Sequence, residues 1–187
     1  MDGDRYISSG VNIDSGNEVI RLISPIVRDT YTNNVLGDIG GFGGLFALGN
    51  YSEPILVASA DGVGTKLRIA VAMDLMSSIG IDLANHSIND VWVQGADPLF
   101  FLDYIATSKL EPDVIEIIVS GIVDACCEIG CVLIGGETSE MPGVFSPGRF
   151  DVSGFVVGVA EYGELLCPKE TIEPGDVLIG LPSNGLH

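Results

Sequence analysis

The chain has 187 residues, 47% of them hydrophobic, which is enough for one well-filled domain and the start of a second, and too apolar for a disordered tail. A formal charge of −18, from 26 acidic and 8 basic side chains, argues against nonspecific binding to nucleic acid or attachment to anionic membranes, since both would repel it. A phosphate ligand of so acidic a chain calls for divalent cations, which turn carboxylates from repellers into ligands.

Met1-Asp2-Gly3-Asp4-Arg5 has no basic stretch leading into an apolar core, and no apolar run approaches membrane-spanning length, so a cytoplasmic location is expected. Cys126, Cys127, Cys131 and Cys167 form no paired CxxC clusters, and two histidines cannot complete a zinc site. Cys126 and Cys131 read as small core residues.

Val11 to Thr30 carries apolar residues at helical spacing (Val19, Ile20, Leu22, Ile23, Ile26, Val27), with Asp14 and Ser15 as helix starters and Pro25 as a disturbance. Gly37 to Gly44 then holds five glycines in eight residues, either a flexible connector or a backbone able to fold closely over a ligand.

Ile55-Leu56-Val57-Ala58-Ser59-Ala60 follows Pro54 and reads as a short buried strand, with Asp61 at its exit. Asp61-Gly62-Val63-Gly64-Thr65-Lys66 joins a carboxylate, two glycines, a hydroxyl and an ammonium. Its glycines allow a sharp turn with N–H groups close to an anion, although the spacing is not that of a Walker loop. A tight turn with a surface lysine is the plainer alternative.

Between Ser78 and Gln94, helical spacing aligns Asp82, Asn85, His86, Asn89 and Asp90 in one polar stripe. The stripe has no Lys, Arg or Glu. Short carboxylates and amides on one rail suit a cation or polar ligand in a cleft, or else a solvated face. Leu99 to Ala106 reads as a strand, and Pro112 to Ile129 as an amphipathic helix stopped by Gly130. Cys131-Val132-Leu133-Ile134 is a predicted buried strand whose exit, Gly135-Gly136-Glu137-Thr138, again sets a carboxylate beside glycine; Glu140-Met141-Pro142-Gly143 prolongs that loop. Asp151 to Glu161 and Val177 to Leu181 complete the predicted strands.

Asp61-Gly-Val-Gly-Thr-Lys66, Asn89-Asp-Val-Trp-Val-Gln-Gly-Ala96, Pro98-Leu-Phe-Phe-Leu-Asp-Tyr104 and Gly135-Gly-Glu-Thr-Ser-Glu-Met-Pro-Gly143, in this order, resemble the aminoimidazole ribonucleotide synthetase (phosphoribosylformylglycinamidine cyclo-ligase) family. Gly10 to Asn17 and Gly40 to Gly44 are similar to its N-terminal segments, so the resemblance covers nearly the whole chain. Selenophosphate synthetase and thiamine-monophosphate kinase share the carboxylate logic without the wording of the last two motifs.

The resemblance implies an α+β N-terminal ATP-binding domain, a mixed sheet with helices on one side, whose strands form a barrel at the interface of a homodimer. It implies ATP and Mg²⁺ as cofactors and formylglycinamidine ribonucleotide as substrate. The substrate's amide oxygen is phosphorylated and a neighbouring nitrogen closes the imidazole ring. Asp61, Asp90 and Glu137 are the expected metal ligands, with Asp82 and His86 as second choices. Gly41, Phe42 and Gly43 are expected to cover ATP, while Asp61, Gly62, Gly64, Thr65 and Lys66 handle its phosphates. No catalytic base is assigned.

Residues 1–168 are expected to form the ATP-binding and dimerisation domain and 169–187 the start of a truncated second domain, since relatives continue past Ser183-Asn-Gly-Leu-His187. A dimerising nucleotide-binding module without turnover is therefore the alternative. Three departures from the family stand out: Ser24 before Pro25 where relatives carry lysine, the non-basic Thr30-Tyr31-Thr32-Asn33, and Ala60 before the loop aspartate.

Overall fold

The computed structural model describes residues 8–166, 172–183 and 185. Four strands, β1 (Pro54–Gly62), β2 (Asp97–Thr107), β3 (Val132–Glu140) and β4 (Phe150–Glu161), form one mixed sheet in the order β1-β4-β2-β3. β4 is antiparallel to both β1 and β2, whereas β2 and β3 run parallel, joined by the helical crossover that a parallel pair needs.

The helices are α1 (Ile13–Arg28), α2 (Leu67–Met73), α3 (Ser77–Trp92) and α4 (Pro112–Ile129). α3 and α4 cover one face of the sheet, and α1 packs on α4 and the β3 edge. The core lies in this layer, around Phe101, Leu83, Ile88, Ile118, Ile122 and Val156. α3 and α4 approach closely because glycines meet at their crossing: a Cβ on Gly80 would strike the Ile118 carbonyl, and one on Gly121 would lie 2.6 Å from the Ser77 carbonyl.

The expected helices are present, with two changes. Asn12, rather than Asp14 or Ser15, caps α1, its Oδ1 accepting the Asp14 and Ser15 N–H groups. Pro25 does not disturb the helix, which continues to Arg28; Ser24 Oγ donates to the Ile20 carbonyl, and the apolar face holds Val27 in the core.

The strands differ further from the expected ones. β1 is not buried: as an edge strand it alternates between exposed and half-buried residues, with Leu56 at 59% exposure. β3 does not end at Ile134; its pairing with β2 continues to Glu140, so Glu137 lies inside a strand instead of a loop. Val177 to Leu181 forms no strand, because no described strand lies beside it, and Leu178 is fully exposed. The expected boundary between residues 168 and 169 lies outside the described residues, as do Asn184, Leu186 and His187. Cys126 and Cys131 are buried as expected, and Cys131 alongside, together with burial, holds the Cys126 thiol well above the usual thiol range.

Candidate functional site

Alternation along β1 sends Ser59 and Asp61 toward the helices, where the polar rail of α3 meets them. Ser59 Oγ donates to Asp90 Oδ2 at 2.6 Å. Gly64, at φ +74°, adopts a left-handed conformation that turns the chain into a single 3-10 turn, Gly64–Lys66. That turn returns Lys66 to the rail, where its Nζ lies 2.9 Å from Asp82 Oδ2. His86 Nε2 stands 3.7 Å from Asp61 Oδ2, too far for a hydrogen bond, and is buried without a partner. Burial pushes the His86 pKa down and outweighs the opposing pull of Asp61, leaving a neutral ring at pH 7.

Asp61, Lys66, Asp82, His86 and Asp90 thus gather along one seam, with Gly62, Gly64 and Thr65 beside them. Glu137 does not join them. Gly62, Ser153, Tyr104 and Glu137 are successive partners across the sheet, so Glu137 stands on the opposite edge, about 14 Å away at ordinary strand spacing. It also points to the face away from the helices, where Ser139 Oγ donates to its Oε1 at 3.1 Å. Among the described residues, no three His, Cys, Asp or Glu side chains come close enough to hold a metal ion. The seam's oxygen donors nevertheless fit magnesium, which binds through one or two carboxylates and completes its shell with phosphate oxygens and water.

The glycine loop borders the β3 edge. Arg28 anchors its start through a two-pronged bond to Asp38, Nε to Oδ1 at 2.9 Å and Nη2 to Oδ2 at 2.8 Å, which holds the Asp38 carboxyl below its usual range. Gly41, Phe42 and Gly43 then line the mouth of a cavity of about 490 Å³ between α1, β2 and β3. Phe42 is fully exposed.

Two acidic residues escaped the sequence reading. Glu140 ends β3 and accepts the backbone N–H of Asn12 at 2.6 Å and of Leu110 at 2.8 Å, tying three segments together. Asp103 lies in β2, faces the helix layer at 8% exposure and lines the cavity. No other described residue donates to its carboxyl, and burial pushes its pKa up to about 7, against the pull of its own backbone N–H. The signal was available: Asp103 is the one charged residue in the otherwise apolar and aromatic run from Leu99 to Ala106.

Residues 46–160 match the family model of the AIR synthase related protein, N-terminal domain. A phosphoribosylformylglycinamidine cyclo-ligase of Thermoanaerobacter sp. is 51% identical over 182 residues, covering 97% of this chain and 54% of the relative. The like-named protein of Thermoanaerobacter pseudethanolicus is 50% identical over the same span. The chain therefore spans about half the length of the curated relatives it matches.

Among solved structures, E. coli HypE, a hydrogenase maturation protein, superposes with a TM-score of 0.58 at 17% identity, covering 83% of this chain and 48% of that one. Thiamine-monophosphate kinase from Stenotrophomonas maltophilia gives 0.53 at 19% identity, covering 78% and 43%. At such identities these two show the fold alone. The family match and the half-identical relatives place the chain in the AIR synthase related family, of which it carries the N-terminal domain.

Proposed function

We propose that this chain is the nucleotide-binding part of an enzyme that uses ATP to cyclise formylglycinamidine ribonucleotide to aminoimidazole ribonucleotide in purine biosynthesis. The observation that carries the reading is 51% identity to a phosphoribosylformylglycinamidine cyclo-ligase over 97% of the chain. A HypE of the same fold is solved in complex with ATP, which supports nucleotide binding here. Asp61 and Asp90 would hold magnesium, with Asp82 and His86 alongside, and Lys66 and Thr65 would donate to phosphate. Magnesium, when bound, neutralises polyphosphate charge that this acidic chain would otherwise repel.

A homodimer would answer the separation of Glu137 from Asp61. The sheet face away from the helices exposes Leu56 and Phe155, an apolar surface of the kind that partners cover. A two-fold axis along the strands of two facing sheets lays the β3 edge of one copy over the β1 edge of the other. Glu137 and the glycine loop of one copy would then reach the Asp61–Asp90 seam of its partner. Residues 1–168 would form this dimerising domain, and residues from 169 onward would begin a second one.

The alternative reading is a nucleotide-binding dimer without turnover; the chain spans about half the length of its curated relatives. The deciding assay follows phosphate release with ATP and formylglycinamidine ribonucleotide, using this chain and a version extended to the relatives' full length. Release by the extended version alone assigns turnover to the added half; release by neither overturns the proposed activity.

A further inference from the structure

A second, open hollow of about 840 Å³ lies between α2 and the loop that leads into β4. Ile69, Ala72 and Met73 of α2 give it apolar lining, while Arg68 borders it from the helix and Arg149 from the loop. Both arginines have anchored backbones. Arg68 belongs to α2, and Gly148, at φ +70°, turns the chain so that the Arg149 N–H donates to the Ser146 carbonyl at 2.9 Å while the Arg149 carbonyl accepts the Ser108 N–H at 3.1 Å.

Their charge is unanswered. The chain has 26 acidic side chains to 8 basic ones, and Arg21, Arg28 and Lys66 face the carboxylates of Glu18, Asp38 and Asp82. Arg68 and Arg149 pair with no described carboxylate, and no acidic residue lines the hollow. Two unpaired like charges at one hollow set up a local positive potential in an otherwise acidic molecule, which draws an anion.

The surroundings narrow that anion. A polyphosphate brings magnesium, and the carboxylates proposed to hold the metal lie on the seam, not here. One guanidinium already matches the two oxygens of a carboxylate; two guanidinium forks match a phosphate monoester, with three terminal oxygens and about two negative charges. Thr65 also borders the hollow, one residue before the Lys66 that reaches the seam, so an anion here would sit beside the proposed phosphate-handling turn. The proposed substrate, a ribonucleotide, ends in such a monoester.

We propose that Arg68 and Arg149 bind the phosphate monoester of the substrate ribonucleotide, leaving its reacting amide to reach the seam. The anion site rests on the two arginines, and its assignment to the substrate rests on the activity proposed above.

The test needs no metal at first. Ribose 5-phosphate, ribose and inorganic phosphate are titrated into the chain at low salt with EDTA, with binding read by calorimetry. Ribose 5-phosphate should bind and ribose should not; inorganic phosphate, which has no sugar to rest on Ile69 and Met73, should bind about fivefold more weakly. Arg68→Met and Arg149→Met should each weaken ribose 5-phosphate binding at least tenfold, the loss of a charge-assisted hydrogen bond, with circular dichroism unchanged because both positions are exposed. Saturating magnesium–ATP, added in a second titration without EDTA, should leave ribose 5-phosphate bound. No binding of ribose 5-phosphate, binding indifferent to either substitution, equal binding of inorganic phosphate, or displacement by magnesium–ATP overturns the proposal and leaves the nucleotide reading standing. If magnesium–ATP itself does not bind, the nucleotide reading falls and takes the assignment to the substrate with it, whereas arginine-dependent binding of ribose 5-phosphate still establishes the anion site.

Discussion

Ser59 Oγ donates to Asp90 Oδ2 at 2.6 Å, so the outermost strand of the sheet and the polar rail of α3 meet through one hydroxyl–carboxylate bond. This bond fixes the direction of the Asp90 carboxylate without neutralising it. Ser59→Ala should therefore lower magnesium–ATP affinity about fivefold, the worth of about 1 kcal/mol for such a bond, with little change in melting temperature. Asp90→Asn should remove magnesium-dependent binding almost entirely. Calorimetric titration of the three proteins with and without magnesium checks the order.

Lys66 and Asp82 form a pair with side chains only 16% and 32% exposed, at 2.9 Å. The same ammonium is the proposed donor to phosphate, so Asp82 holds it in readiness. Lys66→Met should weaken ATP binding at least tenfold, because the anion loses the ammonium that stands beside the proposed metal ligands. Asp82→Asn should have a smaller effect, and raising the salt concentration should narrow the gap between Lys66→Met and the unaltered chain.

Asp103 makes stability depend on pH in a direction opposite to ordinary salt-bridged carboxylates. Its pKa rises from 3.8 to about 7 on folding, so the folded chain holds a proton that the unfolded chain releases between those values. The contribution of Asp103 to stability is therefore undiminished below pH 3.8, falls as pH rises, and levels off above about pH 7. Asp103→Asn should remove that decline. The melting-temperature difference between the two proteins should favour the variant at pH 8 and shrink toward pH 5; a constant difference would refute the burial of the carboxyl.

Glycines on the helices divide by what surrounds them. Gly80→Ala drives a methyl into the α4 backbone and should cost about 3 kcal/mol or more. Gly16 in α1 has nothing within 4 Å of its Cβ position, so Gly16→Ala should stabilise the chain by about 0.5–1 kcal/mol. Urea unfolding of both variants measures the contrast.

Glu140→Gln keeps the shape but leaves one of two backbone donors, Asn12 or Leu110, facing an amide N–H. A loss of about 1 kcal/mol and earlier hydrogen exchange at both amides are expected.

Local chemistry made much of the molecule legible. Periodicity located α1, α3 and α4 because an amphipathic helix declares its buried face every three to four residues, and the unusual rail of Asp82, His86 and Asp90 was readable for the same reason. Gly64 and Lys66 announced the turn that delivers a cation to that rail.

What the chain order could not convey was which strand lies beside which. Glu137 follows glycines much as Asp61 neighbours them, and the two looked equivalent; the β1-β4-β2-β3 order sets them on opposite edges and opposite faces. The same long-range pairing made β1 an edge, carried β3 through to Glu140, and enclosed Asp103 beneath the sheet. Strand neighbours are chosen by contacts between residues distant in sequence, so side-chain type and spacing determine what each element is, and only the assembled sheet decides which carboxylates meet.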